Sequence, residues 1–196
     1  MIKQFWDWFT NQQLTLRKII DGDYEIIDSI LIELRKIQTG LAVEFEKYGD
    51  EIIMTISADG IEDNFEVVKE IVSNSPKIDK WNFVAFRQPV SREKINTITI
   101  KVKEIILDPK TIWFRALKED DNLYIQIFSD ILTEENKGEI GYGCLMLLDN
   151  LIGEYDCVKK VSAYEFYNTK EAQEFKDDLD PLTEIRDFLN YYFGVD

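Results

Sequence analysis

The sequence contains no histidine, and this absence excludes several kinds of functional site. Hydrolases with a catalytic triad need an imidazole as general base, and zinc sites commonly use histidine ligands. The two cysteines, Cys144 and Cys157, are too few for a thiolate zinc site and do not form a CxxC motif. We expect both to be reduced core residues, and the sequence assigns no catalytic residue, metal ligand or cofactor.

Nucleotide-binding motifs and long apolar runs are missing as well. The chain has no Walker A, GxSxG or EF-hand pattern, and the glycines at 138, 141 and 143 are wrongly spaced for a dinucleotide-binding loop. No apolar run approaches the roughly 20 residues that a membrane-spanning helix needs. The N-terminal segment lacks the features of a secretory signal, so we expect a cytoplasmic location.

Basic residues are scarce in the C-terminal part of the chain. The whole sequence has 23 basic and 38 acidic side chains, a net charge of −15. Residues 119–196 contain 6 of the basic and 19 of the acidic side chains, a net charge of −13. Such a surface repels nucleic acid and anionic membranes. It favours a basic protein as partner, and improved solubility is the alternative explanation.

The composition is that of a folded protein, with 45% hydrophobic and 13% aromatic residues in a chain of 196. No repeat or linker interrupts it. We predict a single α+β domain over residues 1–196, with a largely antiparallel or mixed sheet of about six strands. Its parts are a helical hairpin over 1–40, the sheet with two inserted helices over 41–166, and closing helices over 167–196.

The apolar and aromatic stretch Trp81–Pro89 lies at the centre of the predicted fold. It is typical of a central strand that is buried on both faces, and its proline predicts an end at Gln88. Ile52–Ala58 predicts a second strand, and the helical spacing over 61–74 predicts a helix between the two. This arrangement places Arg87 at the edge of the sheet.

The second half contains a clear hairpin signal. Ile112–Lys118 and Leu123–Phe128 flank an acidic turn, so we expect two paired strands. Tyr142–Ile152 is apolar on most of its circumference, which predicts a buried helix. Glu154–Phe166 alternates well enough to predict a long final strand. The tail predicts a helix over Lys170–Leu179 and a second one that begins at a proline.

Charged side chains supply the candidate site residues. Asp149, Glu154 and Asp156 lie where the buried helix meets the predicted final strand. Paired carboxylates there bind a hard cation or act as acid and base, or they simply cap a solvated turn. Arg87 is placed to hold a carboxylate of a ligand, or to form a structural ion pair with a carboxylate near Glu154.

Aromatic residues are concentrated in the predicted first helix. Trp6, Trp8 and Phe9 crowd its first turns. Such a cluster is typical of a helix that packs onto a core, and the alternative is an interface with a partner or with a second copy of the chain. We keep these three residues as interface candidates.

Four segments together resemble a family of uncharacterised bacterial cytoplasmic proteins: Phe5–Phe9, Ile56–Gly60, Trp81–Pro89 and Leu147–Asp156. None of these segments is a catalytic signature, and the resemblance implies no activity.

Three hypotheses for the function follow. The first is a non-enzymatic acidic protein-binding domain of the bacterial cytoplasm, for example an immunity protein that neutralises a basic toxin. The second is an enzyme that uses carboxylates and Arg87, or a protein that binds a divalent cation. The third is a structural subunit that associates with itself, as a homodimer for example.

Overall fold

The computed structural model describes residues 1–195 and divides the chain into two compact units, Met1–Arg87 and Gln88–Asp196. Both units combine helices with strands, so the predicted α+β class is confirmed. Within the described residues, no helix has both the length and the apolar character needed to cross a membrane. The extension of a single domain over residues 1–196 stays a prediction.

The first unit consists of three α-helices and a three-stranded sheet within residues 1–87, all of which the structure describes. These elements are α1 (Ile2–Leu16), α2 (Glu25–Arg35), β1 (Ala42–Tyr48), β2 (Glu51–Ser57), α3 (Phe65–Ser73) and β3 (Trp81–Ala85). The strands β1 and β2 form an antiparallel hairpin, and β2 pairs in parallel with β3. The predicted strand-helix-strand unit is therefore confirmed.

The strand β3 differs from its prediction in position and length. It lies at the edge of the sheet, whereas β2 lies at the centre. Only Trp81 among its five residues is buried. It ends at Ala85 because Phe86 has a φ of +66°, which takes the backbone out of the extended region. The aromatic residues Trp81 and Phe83 of β3 pack against α1 on one face of the sheet. The outer edge of β3 pairs with no other strand of this sheet.

The second unit contains three α-helices and six strands within residues 88–195. These elements are β4 (Ile100–Val102), β5 (Ile105–Leu107), β6 (Trp113–Glu119), β7 (Asn122–Phe128), α4 (Lys137–Ile152), α5 (Glu154–Lys159), β8 (Ala163–Tyr167), β9 (Asp180–Pro181) and α6 (Ile185–Phe193). The strands β4 and β5 form a small hairpin, and the other four form a sheet in the order β8-β7-β6-β9. The predicted hairpin of β6 and β7 is confirmed.

The predicted mixture of strand directions is confirmed, but the strands form three sheets instead of one sheet of about six. The physical reason lies in residues 86–99, which form no strand. This stretch is mostly polar, begins with a left-handed residue and contains Pro89, which lacks a backbone donor. It therefore separates the first three strands from all later ones.

The sheet of the second unit has an inner face that forms the core and an outer face. Side chains alternate along each strand, so Phe114, Ile125 and Ile127 share the inner face and are fully buried. They belong to one core cluster with apolar residues of α4 and α6. The residues between them, including Arg115 and Gln126, lie on the outer face.

The predicted long strand over Glu154–Phe166 is wrong. The chain forms the helix α5 first and becomes extended only at β8. Gly153 has a φ of +89°, which ends α4 and redirects the backbone into a new helix. Glu154 and Cys157 are three positions apart and both buried, a spacing that places them on one face of a helix but on opposite faces of a strand.

The prediction of an α-helix over Lys170–Leu179 is also wrong. The segment forms two short 3₁₀ turns, Thr169–Ala172 and Lys176–Asp178. The following Asp180 and Pro181 pair with β6, and helical structure begins one residue later than predicted, as a 3₁₀ turn over Leu182–Glu184 that leads into α6 at Ile185. A segment of ten residues with one or two apolar anchors has too little buried surface to hold a regular helix.

The helix α4 contains the three glycines at positions 138, 141 and 143. Gly138 has open space where a side chain would be, whereas Gly141 faces the ring of Phe166. A Cβ at Gly143 would overlap a methyl group of Val102 and lie 2.7 Å from Cδ1 of Leu107. The glycine therefore lets α4 lie directly against the β4–β5 hairpin.

Candidate functional site

Arg87 forms the centre of an ion-pair cluster in the first unit. Its Nε donates to Oε1 of Glu44 on β1, and its Nη2 donates to Oδ1 of Asp59 at 2.9 Å. The guanidinium is only 9% exposed, whereas both carboxylates are about half exposed. Glu44 and Asp59 are acceptors that the sequence did not assign to Arg87. The role that these contacts support is structural, because they join the start of the sheet to its last strand.

The three candidate carboxylates of the second unit lie along the junction of α4 and α5. Glu154 is fully buried at the first residue of α5, and Asp156 pairs with Lys160 at 2.7 Å. Asp149 lies beside the thiol of Cys157. Within residues 1–195, no group of three or more histidine, cysteine or acidic side chains is arranged to hold a metal ion.

The two cysteines are buried and free, as predicted. Burial raises the pKa of Cys144 to about 12. Burial also raises the pKa of Cys157 well above its usual value, and the negative charge of Asp149 raises it further. Both thiols are therefore protonated at neutral pH, and neither is an activated nucleophile.

The aromatic interface candidates have different exposures. Trp6 and Phe9 are buried, with 3% and 0% of their surface exposed, so they cannot form an interface in this conformation. The indole Nε1 of Trp6 donates to the carbonyl of Ile71 at 2.9 Å, and the Phe9 ring packs edge-on against Trp81. Of the three, only Trp8 is partly exposed. The interpretation as a helix packed onto a core accounts for the other two.

A different set of residues, on the outer face of the second unit's sheet, has the features of a binding surface. The register aligns Arg115, Gln126 and Glu165 in one row across β6, β7 and β8. The next row consists of Trp113, Phe128 and Tyr167. The outer face therefore presents a polar row beside an aromatic row.

The segment after β8 adds a wall to this face and closes a cleft. Phe175 packs edge-on against Phe128, with ring centroids 5.6 Å apart, and Tyr167 stacks on Phe128 at 5.4 Å. We call this depression the outer cleft. It has a volume of about 250 Å³ and is lined by Arg115, Gln126, Phe128, Tyr167, Glu171 and Phe175.

A second cleft adjoins the first at Glu171. It has a volume of about 210 Å³, and its lining includes Leu132, Lys137, Phe166 and Asn168. The side chain of Glu171 accepts a hydrogen bond from the backbone N–H of Asn168 at 2.9 Å, which fixes the position of this shared lining residue. The second cleft is lined by Phe166, which packs toward the core side of the sheet.

Hydrogen bonds organise the polar row of the outer face. Nε2 of Gln126 and the hydroxyl of Tyr167 both donate to Oε2 of Glu165, each at 2.9 Å. These two hydrogen bonds lower the pKa of Glu165, because they stabilise the ionised carboxylate. Oε1 of Gln126 is shielded from solvent and has no hydrogen-bond partner among the described residues.

The two segments that contribute lining residues to the clefts are strongly acidic. The segments 130–137 and 165–178 contain eight acidic and three basic residues, and all eight acidic residues are exposed. The acidic residues are Asp130, Glu134, Glu135, Glu165, Glu171, Glu174, Asp177 and Asp178. The negative charge of the C-terminal part is thus concentrated, in part, around one structural feature.

Sequence reasoning did not identify the outer cleft. One signal was present, because Tyr124, Gln126 and Phe128 alternate with buried aliphatic residues and therefore face outward together. An outward aromatic residue on a strand indicates either a covering segment or a binding surface. The position of Phe175 was hidden because the pattern of its segment predicts a helix.

Comparison with known proteins assigns no family: no family model matches the chain, and no curated protein or solved structure is significantly similar to it. The resemblance to uncharacterised bacterial cytoplasmic proteins stays a prediction.

Proposed function

We propose that the protein is a non-enzymatic, acidic protein-binding domain whose partner is a basic protein. The observation that supports this best is the set of eight exposed carboxylates on the two segments that contribute lining residues to the clefts of the second unit. Charges of one sign on one surface accelerate association with an oppositely charged partner and select against others. Neutralisation of a basic toxin in the bacterial cytoplasm is the role for which such a domain is suited.

The features of the other candidate residues are consistent with this proposal. Arg87 is held by carboxylates of its own unit, Asp156 pairs with a lysine, and both thiols are protonated. The clefts are also smaller than the 300–1,000 Å³ that small-molecule pockets commonly have. A protein surface with shallow clefts fits recognition of side chains better than it fits enclosure of a substrate.

A pair of matched variants tests the proposal. The test variant replaces three exposed acidic residues near the clefts by their amides, namely Glu135, Glu174 and Asp177. The control variant makes the same change in net charge on the first unit, at Asp21, Asp23 and Asp28. All six residues are exposed, so neither variant should lose stability by more than about 0.5 kcal/mol.

The full chain and both variants serve as bait in an extract of the native host. We expect the wild-type protein and the control variant to retain the same basic protein, and the test variant to lose it. The captured protein is then purified, and its dissociation constant is measured at several salt concentrations, where affinity should fall as salt rises. Retention of a neutral or acidic protein, or equal retention by both variants, would contradict the proposal.

A further inference from the structure

We infer that the outer cleft is the binding site for an arginine side chain of the basic partner, and that Arg115 covers its aromatic wall when no partner is bound. This inference rests on the proposed function and names the group that the surface recognises. The partner would thus be recognised by a specific pocket as well as by its charge.

The first observation is that the walls of the cleft already contact cations. Cζ of Arg115 lies 4.3 Å from the centroid of the Phe175 ring, and Nζ of Lys137 lies 5.0 Å from that of Tyr167. Both distances are within the 6 Å over which an aromatic face attracts a cation, and guanidinium groups make such contacts more often than ammonium groups do. The geometry of the cleft therefore suits a planar cation.

The second observation is that Arg115 is weakly held in this position. Its carboxylate partner is Asp178, and Nη2 of Arg115 lies 3.7 Å from Oδ2 of that residue. This distance is too long for a hydrogen bond, so the stacking on Phe175 is the main contact that holds the guanidinium. An incoming arginine with better hydrogen bonding can take its place.

The third observation is a surplus of acceptors beside the aromatic wall. Oε1 of Gln126, directly across from Arg115 in the strand register, accepts no hydrogen bond from any described residue, and because it is shielded from solvent it becomes available only when a neighbouring side chain moves. Glu165 is kept ionised by its two donors and lies next to Gln126 in the polar row, and Glu171 lines the cleft. A guanidinium has five N–H donors in a fixed plane, and these three residues supply acceptors for them. Acceptors of this kind do not suit an anion, which has no donors to offer.

The size of the cleft and the charge of its rim identify the kind of occupant. About 250 Å³ accommodates one long side chain. The exposed acidic rim repels phosphate and carboxylate ligands. Exposed acidic residues continue along the segments on both sides of Glu171, so a basic segment of a protein fits better than free arginine.

Two short peptides test the inference on the full-length protein. One alternates arginine with glycine, the other alternates lysine with glycine, and both are acetylated and amidated. We expect the arginine peptide to bind about threefold to tenfold more tightly than the lysine peptide. The NMR resonances of the Gln126 side-chain amide should shift with the arginine peptide, and N-acetyl-arginine amide should bind more weakly than the peptide.

Variants of the walls make the test specific. Phe175→Leu keeps an apolar side chain but removes the ring, and it should reduce the affinity for the arginine peptide to that for the lysine peptide. Arg115→Ala should increase the affinity for the arginine peptide. Lys176→Ala makes the same charge change at an exposed residue that does not line the cleft, and its effect should be smaller.

The outcomes separate the inference from the proposed function. Equal binding of both peptides, unchanged by Phe175→Leu but weakened by neutralising Glu135, Glu174 and Asp177, would overturn the arginine site and leave the proposed function standing. Equal effects of Arg115→Ala and Lys176→Ala would also overturn it. Failure of both peptides to bind at low ionic strength would overturn the arginine site, whereas the proposed function depends on the capture of a basic protein by the full chain.

Discussion

Alanine substitutions at the three glycines of α4 should have three different effects on stability. In a helix interior, alanine is favoured over glycine by about 1 kcal/mol, so helix propensity alone predicts stabilisation at Gly141 and Gly143 and a smaller gain at Gly138, which is the second residue of α4. The surroundings differ, however. A Cβ added at Gly138 would meet no atom within 4 Å, one at Gly141 would lie 3.1 Å from the Phe166 ring, and one at Gly143 would overlap the β4–β5 hairpin.

The magnitudes follow from these distances. Gly138→Ala should raise the free energy of unfolding by up to about 0.5 kcal/mol, because the residue lies in the first turn of α4 and nothing opposes its gain in helix propensity. Gly141→Ala should be close to neutral, since the Phe166 ring can move by a few tenths of an ångström. Gly143→Ala forces two packed methyl groups away, and overpacking costs about 1–3 kcal/mol, so the net result should be a loss of up to about 2 kcal/mol.

Urea unfolding followed by circular dichroism measures the three free energies, and thermal unfolding supplies a second comparison. For a chain of this size, each kcal/mol corresponds to roughly 2–4 °C in Tm. Gly138→Ala is the control for the intrinsic propensity of the helix. If Gly143→Ala were as stabilising as Gly138→Ala, the close packing of α4 on the hairpin would be refuted.

Three further predictions concern other parts of the molecule. Arg87→Leu should lower the free energy of unfolding by about 1–3 kcal/mol in urea titrations, because it leaves the carboxylates of Glu44 and Asp59 without their shared guanidinium, and Arg87→Lys should retain part of that stability. Because burial raises the pKa of Cys144 to about 12 from an ordinary value of 9.0, the unfolded chain loses this thiol proton first. The free energy of unfolding should therefore fall as pH rises above 9, by at most about 1.4 kcal/mol per pH unit from this thiol, and unfolding curves of Cys144→Ala should show a smaller decline. Asp120 has a φ of +53° in the β6–β7 turn, so Asp120→Gly should raise Tm slightly, and a fall in Tm would contradict a left-handed conformation there.

The sequence predicted elements correctly where the pattern of nearby residues is enough to determine both the element and its pairing. The β6–β7 hairpin combines alternating residues with a short acidic turn, so both strands and their pairing follow from adjacent residues. The buried helix α4 follows from its apolar circumference. These elements need no knowledge of distant contacts.

The errors occur where a distant contact decides the structure. The pattern of Glu154–Phe166 permits a strand, and only the turn at Gly153 and the packing of α5 show that its first part is helical. The apolar character of Trp81–Ala85 on both sides predicts a position at the sheet centre. Its actual position at the edge depends on α1, whose aromatic residues cover one of its faces.

The outer cleft was beyond sequence reasoning for the same reason. Its lining residues come from β6, β7, β8 and the 3₁₀ segment that follows, which span positions 115 to 175. The candidate carboxylates Asp149, Glu154 and Asp156 were chosen for proximity along the chain, and they lie at one junction as expected. Proximity in sequence found that cluster but had no means to find a site assembled from four separate segments.

The parallel pairing of β7 with β8 has a consequence for the order in which the molecule folds. The β6–β7 hairpin closes a loop of a few residues, whereas β8 reaches β7 only after the helices α4 and α5 have been traversed. Contacts between residues that are far apart in sequence form later and more slowly than local ones. During synthesis, the hairpin emerges with Arg115 and Phe128 exposed, while Tyr167 and Phe175 have not yet been made. Recognition by the outer cleft therefore begins only when the second unit is nearly complete, so an unfinished chain cannot engage a partner at this site.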